Sequence, residues 1–199
     1  MISVYKLKPK FQQLLTPILL FLHRNKITAN QITISSILLS AIIGILFWNA
    51  EHSKWFFLSL PIGLLIRMAL NALDGMMARK FNQISKLGEV LNEVGDIVSD
   101  VIIFFPLLKF QPESLYLIII FIVLSIINEF SGLLGKVIGK DRRYDGPMGK
   151  SDRALLLGLY GLLIFFGVNI SGISNYIFGI IIALLIISTF TRLKKSLHE

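Results

Sequence analysis

The chain has 199 residues, 54% of them hydrophobic, no cysteine and a formal charge of +8. A soluble domain is only about 45–50% apolar, so this composition points to a membrane protein. The missing cysteine excludes disulfide frameworks and thiolate chemistry. In so apolar a chain the positive charge faces lipid headgroups rather than nucleic acid.

A bilayer-crossing helix needs about 20 mostly apolar residues. The chain has room for six, with short connections, so residues 1–199 read as a single membrane domain. Residues 3–24 come first. Lys6, Lys8 and Lys10 precede FQQLLTPILLFL, whose apolar run is too short to span and is interrupted by Pro17. No small-residue cleavage pattern follows, so the segment is expected to be an amphipathic helix lying in the interface, not a signal peptide.

The bundle proper is expected over 31–190. Thr28-Ala29-Asn30 offers capping groups for a helix over 31–48. The next helices are expected over 55–80, with Arg67 inside, and over 86–108, acidic in its first half. Gln111-Pro112-Glu113 makes a turn before a helix over 114–134 that carries Glu129. A polar loop over 135–150 leads to helices over 151–168 and 175–190, and the tail TRLKKSLHE is basic and polar. Arg67 and Glu129 are charges within apolar helices. They are expected to pair with each other, unless Arg67 reaches the acidic stretch one turn away.

With six spans and a cytoplasmic N-terminus, 17 of the 20 lysines and arginines fall in cytoplasmic segments, against Lys54 and Lys109 outside. That asymmetry predicts both termini in the cytoplasm. It also puts residues 71–100 at the cytoplasmic end of the second and third spans.

This stretch, NALDGMMARKFNQISKLGEVLNEVGDIVSD, holds five of the chain's 12 acidic residues. A carboxylate at membrane depth costs roughly 2.5–3.5 kcal/mol on insertion scales unless it is paired or binds an ion. Asn71 and Asp74 are three apart and share a helix face. Glu89, Glu93, Asp96 and Asp100 share another, overlapped by the stripe Asn92, Asp96 and Asp100. If the two helices are antiparallel neighbours, these faces meet as a cluster of hard oxygen ligands suited to Mg²⁺, Mn²⁺ or Ca²⁺. Gly75, Gly88 and Gly95 permit close approach, and Arg79 suits a phosphate oxygen. Metal, glycine and arginine together point to a pyrophosphate substrate and phosphoryl-type transfer. A non-catalytic or transport-type membrane protein that binds divalent cations or nucleotides is the alternative. A transport path would place its carboxylates nearer mid-membrane.

The spacing Asn71-x2-Asp74-Gly75-x2-Ala78-Arg79-x8-Gly88-x3-Asn92-x3-Asp96 resembles the signature of the class I CDP-alcohol phosphatidyltransferases, D-x2-D-G-x2-A-R-x8-G-x3-D-x3-D. Every interval matches, and six of the eight residues are identical. The resemblance implies an integral membrane enzyme that moves a phosphatidyl group from a CDP-linked lipid, CDP-diacylglycerol above all, to an alcohol, releasing CMP. It implies Mg²⁺ or Mn²⁺, one or two ions, and a homodimer. Asp96 is then the general base. Asn71, Asp74, Asn92 and Asp96 hold metal, and Asp74, Gly75, Ala78, Arg79 and Gly88 line the CDP site. Asn71 and Asn92 depart from the pattern, which has aspartate at both places. Glu93 and Asp100, one helical step away, are candidates to restore the lost ligands.

A second cluster, Arg142-Arg143-Tyr144-Asp145-Gly146-Pro147-Met148-Gly149-Lys150-Ser151-Asp152-Arg153, opens the fifth expected span. Lys150 and Arg153 share a face beside a helix N-terminus, which favours anions. With Arg142 and Arg143 they are expected to serve the lipid phosphate or a phosphorylated acceptor such as glycerol 3-phosphate. A small uncharged alcohol stays open as the acceptor.

Overall fold

A computed structural model describes residues 8–139 and 141–198. Lys6 and Lys140, both counted among the cytoplasmic cations, lie outside the described residues. So do residues 3–7 of the expected interfacial helix. The described residues form helices and connecting turns, with no strand among them.

Helix α1 spans Lys8–Arg24. Its buried Leu15 and Leu19 pack against Ala29 and Ile32 of the next helix and Leu73 and Met77 of the third. Leu14 and Phe21 remain exposed. Helix α2, Ala29–Trp48, starts on a capping box in which Thr28 accepts from the Gln31 N–H and Gln31 answers to the Thr28 N–H. This is the capping that Thr28-Ala29-Asn30 predicts. A 3-10 turn, Lys54–Leu58, leads into α3, Ser59–Lys80, so the expected second helix begins as a tighter coil ahead of Pro61.

Helix α4 spans Lys86–Phe104, capped by Ser85 accepting from the Gly88 N–H. It stops short of the expected residue 108 because Pro106 cannot donate within a continuing helix. The short α5, Leu107–Phe110, follows. Beyond a 3-10 turn at Pro112–Ser114, α6 covers Leu115–Ile138. Helix α7 is Lys150–Phe165 and α8 is Ser171–Leu197. The basic tail is thus helical almost to its end, because Arg192 and Ser196 are buried against the neighbouring structure.

Among the described residues, four segments are long and apolar enough to cross a membrane: Ala29–Trp48, Lys54–Lys80, Pro112–Ile138 and Ser171–Leu197. The other two expected spans fall short for physical reasons. Helix α4 carries Lys86, Glu89, Glu93, Asp96 and Asp100, and α7 has only 16 residues. The outer surface is nonetheless apolar, with Leu38, Ile62, Val98, Ile120, Leu155 and Ile180 all exposed. A soluble monomer rarely shows so extensive an apolar surface.

Packing follows two groupings. Helix α2 packs against both α3 and α4, and α3 also packs against α7; α6 and α8 pack along the most extensive helix–helix contact. Small residues are buried on both helices: Ser125, Ser131, Gly132 and Gly135 on α6, and Ser174, Ser188 and Ser196 on α8. Small side chains let helix backbones approach in an apolar surrounding.

Candidate active site

Because α2 packs on both α3 and α4, the backbones of α3 and α4 stay apart and meet through side chains. A cleft of about 640 Å³ lies between them, closed at its sides by the N-terminal end of α2, the turn before α4 and the loop before α7. Seven of the eight signature positions line it: Asn71, Asp74, Gly75, Ala78, Arg79, Gly88 and Asn92. Asp96, the eighth, is joined to this lining by Asn71, whose Nδ2 donates to Asp96 Oδ1 at 3.4 Å. The two helical faces therefore meet as their spacing predicts, although α3 and α4 are not closely packed neighbours.

Hydroxyls of α2 fix the donors from behind. Thr33 Oγ1 donates to Asp74 Oδ2 at 2.9 Å, and the Gly75 N–H donates to Asp74 Oδ1 at 2.5 Å. Ser36 Oγ donates to Asn71 Oδ1 at 2.6 Å. The glycines are used for proximity. A Cβ on Gly88 would lie 2.8 Å from Asn30 Oδ1, and one on Gly75 would lie 3.3 Å from the Arg79 guanidinium. Thr33 and Ser36 were missed from the sequence. Their signal was present, since with Ser40 they form a polar stripe at helical spacing in an apolar helix, and such stripes face the bundle interior. Gln12 and Gln83 also line the cleft without having been singled out, and Asn30, read from the sequence only as a capping group, lines it too.

Behind the cleft lies a buried ion network. Asp100 accepts from Arg67 at 2.8 Å through one oxygen and from Arg153 at 2.9 Å through the other. Arg153, only 2% exposed, also donates to Glu129 at 2.9 Å. Arg142 spans Glu93 at 2.6 Å and Glu129 at 2.8 Å. Arg67 lies 3.9 Å from Asp96, and Lys150 is ion-paired to Asp96. Arg67 and Glu129 do not pair with each other; each meets a different partner, and Arg67 reaches the acidic stretch. Removing one member of such a buried pair costs about 3–5 kcal/mol, because the remaining charge is left unpaired. Burial opposes the charge of Arg142, yet Tyr144, Glu93 and Glu129 hold its pKa above the ordinary value.

The expected site residues thus separate by position. Asp74, Asn71, Asn92 and Glu93 face the cleft. Asp100 has both oxygens on arginines, and Arg153 is divided between two carboxylates. Arg143 turns to α8, where its guanidinium donates to the Lys195 carbonyl at 3.3 Å. Among the described residues no three acidic or histidine side chains converge as a cage for an ion. The donor set around Asn71 is instead two carboxylates and amide groups. That chemistry fits Mg²⁺, which is commonly held by one or two carboxylates together with substrate phosphates.

Comparison with known proteins bears on this cleft. The family model for the CDP-alcohol phosphatidyltransferases matches residues 26–190. The Escherichia coli (strain K12) inner membrane protein YnbA is 46% identical over 162 residues, 81% of this chain and 80% of that protein. Among solved structures, the phosphatidylinositol phosphate synthase of Mycobacterium tuberculosis with CDP-DAG bound superposes with a TM-score of 0.75 at 21% identity, covering 92% of this chain and 94% of that one. The same enzyme in complex with manganese and citrate gives 0.73 at 20% identity, covering 91% and 88%. At these identities the two structures speak to the fold.

Proposed function

Because the chain belongs to the CDP-alcohol phosphatidyltransferase family, we propose that it transfers the phosphatidyl group of CDP-diacylglycerol to an alcohol and releases CMP. One observation carries this reading. Seven signature residues line a single cleft, and the eighth, Asp96, is hydrogen-bonded to that lining. A solved relative of the same fold has been captured with CDP-DAG.

The residue roles proposed here come from the family signature, and the shared cleft supports them. Arg79, Gly75, Ala78 and Gly88 form the wall for the CDP moiety, the glycines admitting it closely and Arg79 meeting its phosphates. Asp74 and Asp96, with Asn71 and Asn92, would hold Mg²⁺ or Mn²⁺, one or two ions. Manganese is present in a solved relative of this fold. A divalent ion bound there neutralises the pyrophosphate and its developing charge. Asp96 takes the acceptor's hydroxyl proton. The acceptor oxygen bonds to the phosphatidyl phosphorus, and the bond from that phosphorus to the CMP oxygen breaks. Glu93 stands at the cleft as a further candidate ligand. Asp100, committed to Arg67 and Arg153, serves the framework rather than the ion.

The same reading covers placement. We propose six crossings, with α4 and α7 completing the four more apolar segments, α1 in the interface and both termini in the cytoplasm. The similar Escherichia coli protein carries an inner-membrane name. The cleft would then open to the cytoplasm, where CDP-diacylglycerol enters from the surrounding leaflet, and two copies of the chain would pair as a homodimer.

The test is release of CMP from CDP-diacylglycerol by the purified protein across a panel of alcohols, with Mg²⁺ or Mn²⁺ and then with EDTA. Release that requires both the ion and an alcohol is the expected result. Nucleotide or ion binding without CMP release from any alcohol would instead establish a non-catalytic binder.

A further inference from the structure

Helix α2 carries none of the signature residues, yet two of its hydroxyls end on them. We propose that Thr33 and Ser36 are positioning residues that set how tightly the centre holds its divalent ion. The proposal rests on the transferase reading and adds a third helix to the ion centre.

Four hydroxyls along α2 separate by where they donate. Ser35 Oγ donates to the Gln31 carbonyl at 2.9 Å, and Ser40 Oγ donates to the Ser36 carbonyl at 2.7 Å. Both bonds stay within their own helix, the local outlet open to any helical serine. Thr33 and Ser36 instead reach α3, at Asp74 and Asn71. Thr33 Oγ1 also lies 3.1 Å from the Ala29 carbonyl oxygen. It has one proton to give, however, and the ionised carboxylate at 2.9 Å is the stronger acceptor.

Thr33 and Ser36 are three apart on α2, and their partners are three apart on α3, so the two bonds are rungs of one antiparallel register. Thr33, Ser36 and Asp74 are all buried. Close packing holds that register further along the same pair of helices, where a Cβ on Gly63 would lie 2.6 Å from the Ile43 side chain. The rungs leave the donors open to an ion. A carboxylate has about four lone-pair sites. Asp74 gives one oxygen to Thr33 and the other to the Gly75 N–H, with capacity left on each. Asn71 ligates through its amide oxygen alone, and the Ser36 proton fixes where that oxygen sits. Ion binding therefore need not break either rung. Ligands oriented before the ion arrives hold it more tightly, and removing a hydrogen-bond partner of a metal ligand typically costs about 10–100-fold in affinity.

The experiment uses metal-free full-length protein in phosphatidylcholine nanodiscs, titrated with Mn²⁺ alone. Bound ion is read from the loss of the free-ion EPR signal. Thr33→Val keeps the side-chain shape and removes the hydroxyl, and its Mn²⁺ affinity should fall at least about tenfold. Thr33→Ser keeps the hydroxyl and should stay within about threefold of the natural protein. Ser36→Ala should also weaken binding, and it decides the matter if Thr33→Val does not fold. Ser40→Ala removes a hydroxyl of the same helix that touches no donor of the cleft, and should bind Mn²⁺ as the natural protein does. Natural affinity in a folded Thr33→Val, or in Ser36→Ala, overturns the proposal and leaves the transferase reading standing. An equal loss in Ser40→Ala overturns it too, since that would mark a general loosening of α2. Absence of Mn²⁺ binding by the natural protein overturns the ion centre itself, and the proposal with it.

Discussion

Asn71 shows how the structure accommodates a departure from the signature. Its amide accepts from Ser36 and donates to Asp96, so one residue ties α2, α3 and α4 together. An aspartate at the same place would set two carboxylates within 3.4 Å of each other. Like charges that close cannot both be held without a cation between them. The Asn71→Asp variant is therefore expected to unfold at a lower temperature than the natural protein in EDTA and at a higher one with Mn²⁺, as thermal unfolding in detergent would read. A variant that is stabilised in EDTA would contradict this account. That these side chains gather at one cleft was legible in the sequence, because gapped identities at fixed helical intervals specify faces. Their backing was not, because Thr33 and Ser36 belong to another helix and only packing brings them behind Asp74 and Asn71. Asp100 misled for a related reason. Its spacing shares the face of Asp96, but spacing says nothing of Arg67 and Arg153, which occupy both of its oxygens.

Among the elements, the loop between α6 and α7 presents Arg142 to the cleft, and it is keyed into place rather than free. A Cβ on Gly132 would lie 2.7 Å from the Arg143 carbonyl, and one on Gly146, at φ +92°, would lie 2.6 Å from the Ser188 backbone. From α8, Arg192 donates to the Asp145 carbonyl at 3.1 Å, and Lys195 pairs with the Asp145 carboxylate. Gly132→Ala must push the loop backbone, and Arg142 moves with it. CMP release should fall about tenfold or more, since an ångström of misplacement is costly in a positioned site. The drop in melting temperature should be small, and a variant of unchanged rate would contradict the role given to the loop. The sequence marked this segment as basic and glycine-bearing, but its partner α8 read as an apolar span with a polar tail. Burial of Arg192 and Ser196 in that tail depends on a contact across about 50 residues, which no local pattern encodes.

In the whole molecule, α3, α4, α6 and α7 are joined where Arg67, Asp100, Glu129 and Arg153 meet. Asp100→Asn would leave two buried guanidinium groups short of an anion. A loss of about 3–5 kcal/mol in stability is expected, seen as a lower unfolding temperature and poorer yield. The helical membrane architecture was legible because composition and apolar length constrain it strongly. The crossing number was harder to read, because α4 spends its polarity on the site and on this network. The absence of cysteine lets single cysteines test it. Residues 26 and 82 should react only from the cytoplasmic side, and residues 52, 112 and 169 only from the other; labelling of residue 169 from the cytoplasm would remove the α7 crossing. Phosphatidyl transfer through Asp96 is tested by following a labelled phosphatidyl group from CDP-diacylglycerol into a new lipid. The natural protein with Mn²⁺ should form that lipid, and Asp96→Asn, still folded, should form it at least about a hundredfold more slowly. Equal transfer by the two proteins would contradict the account.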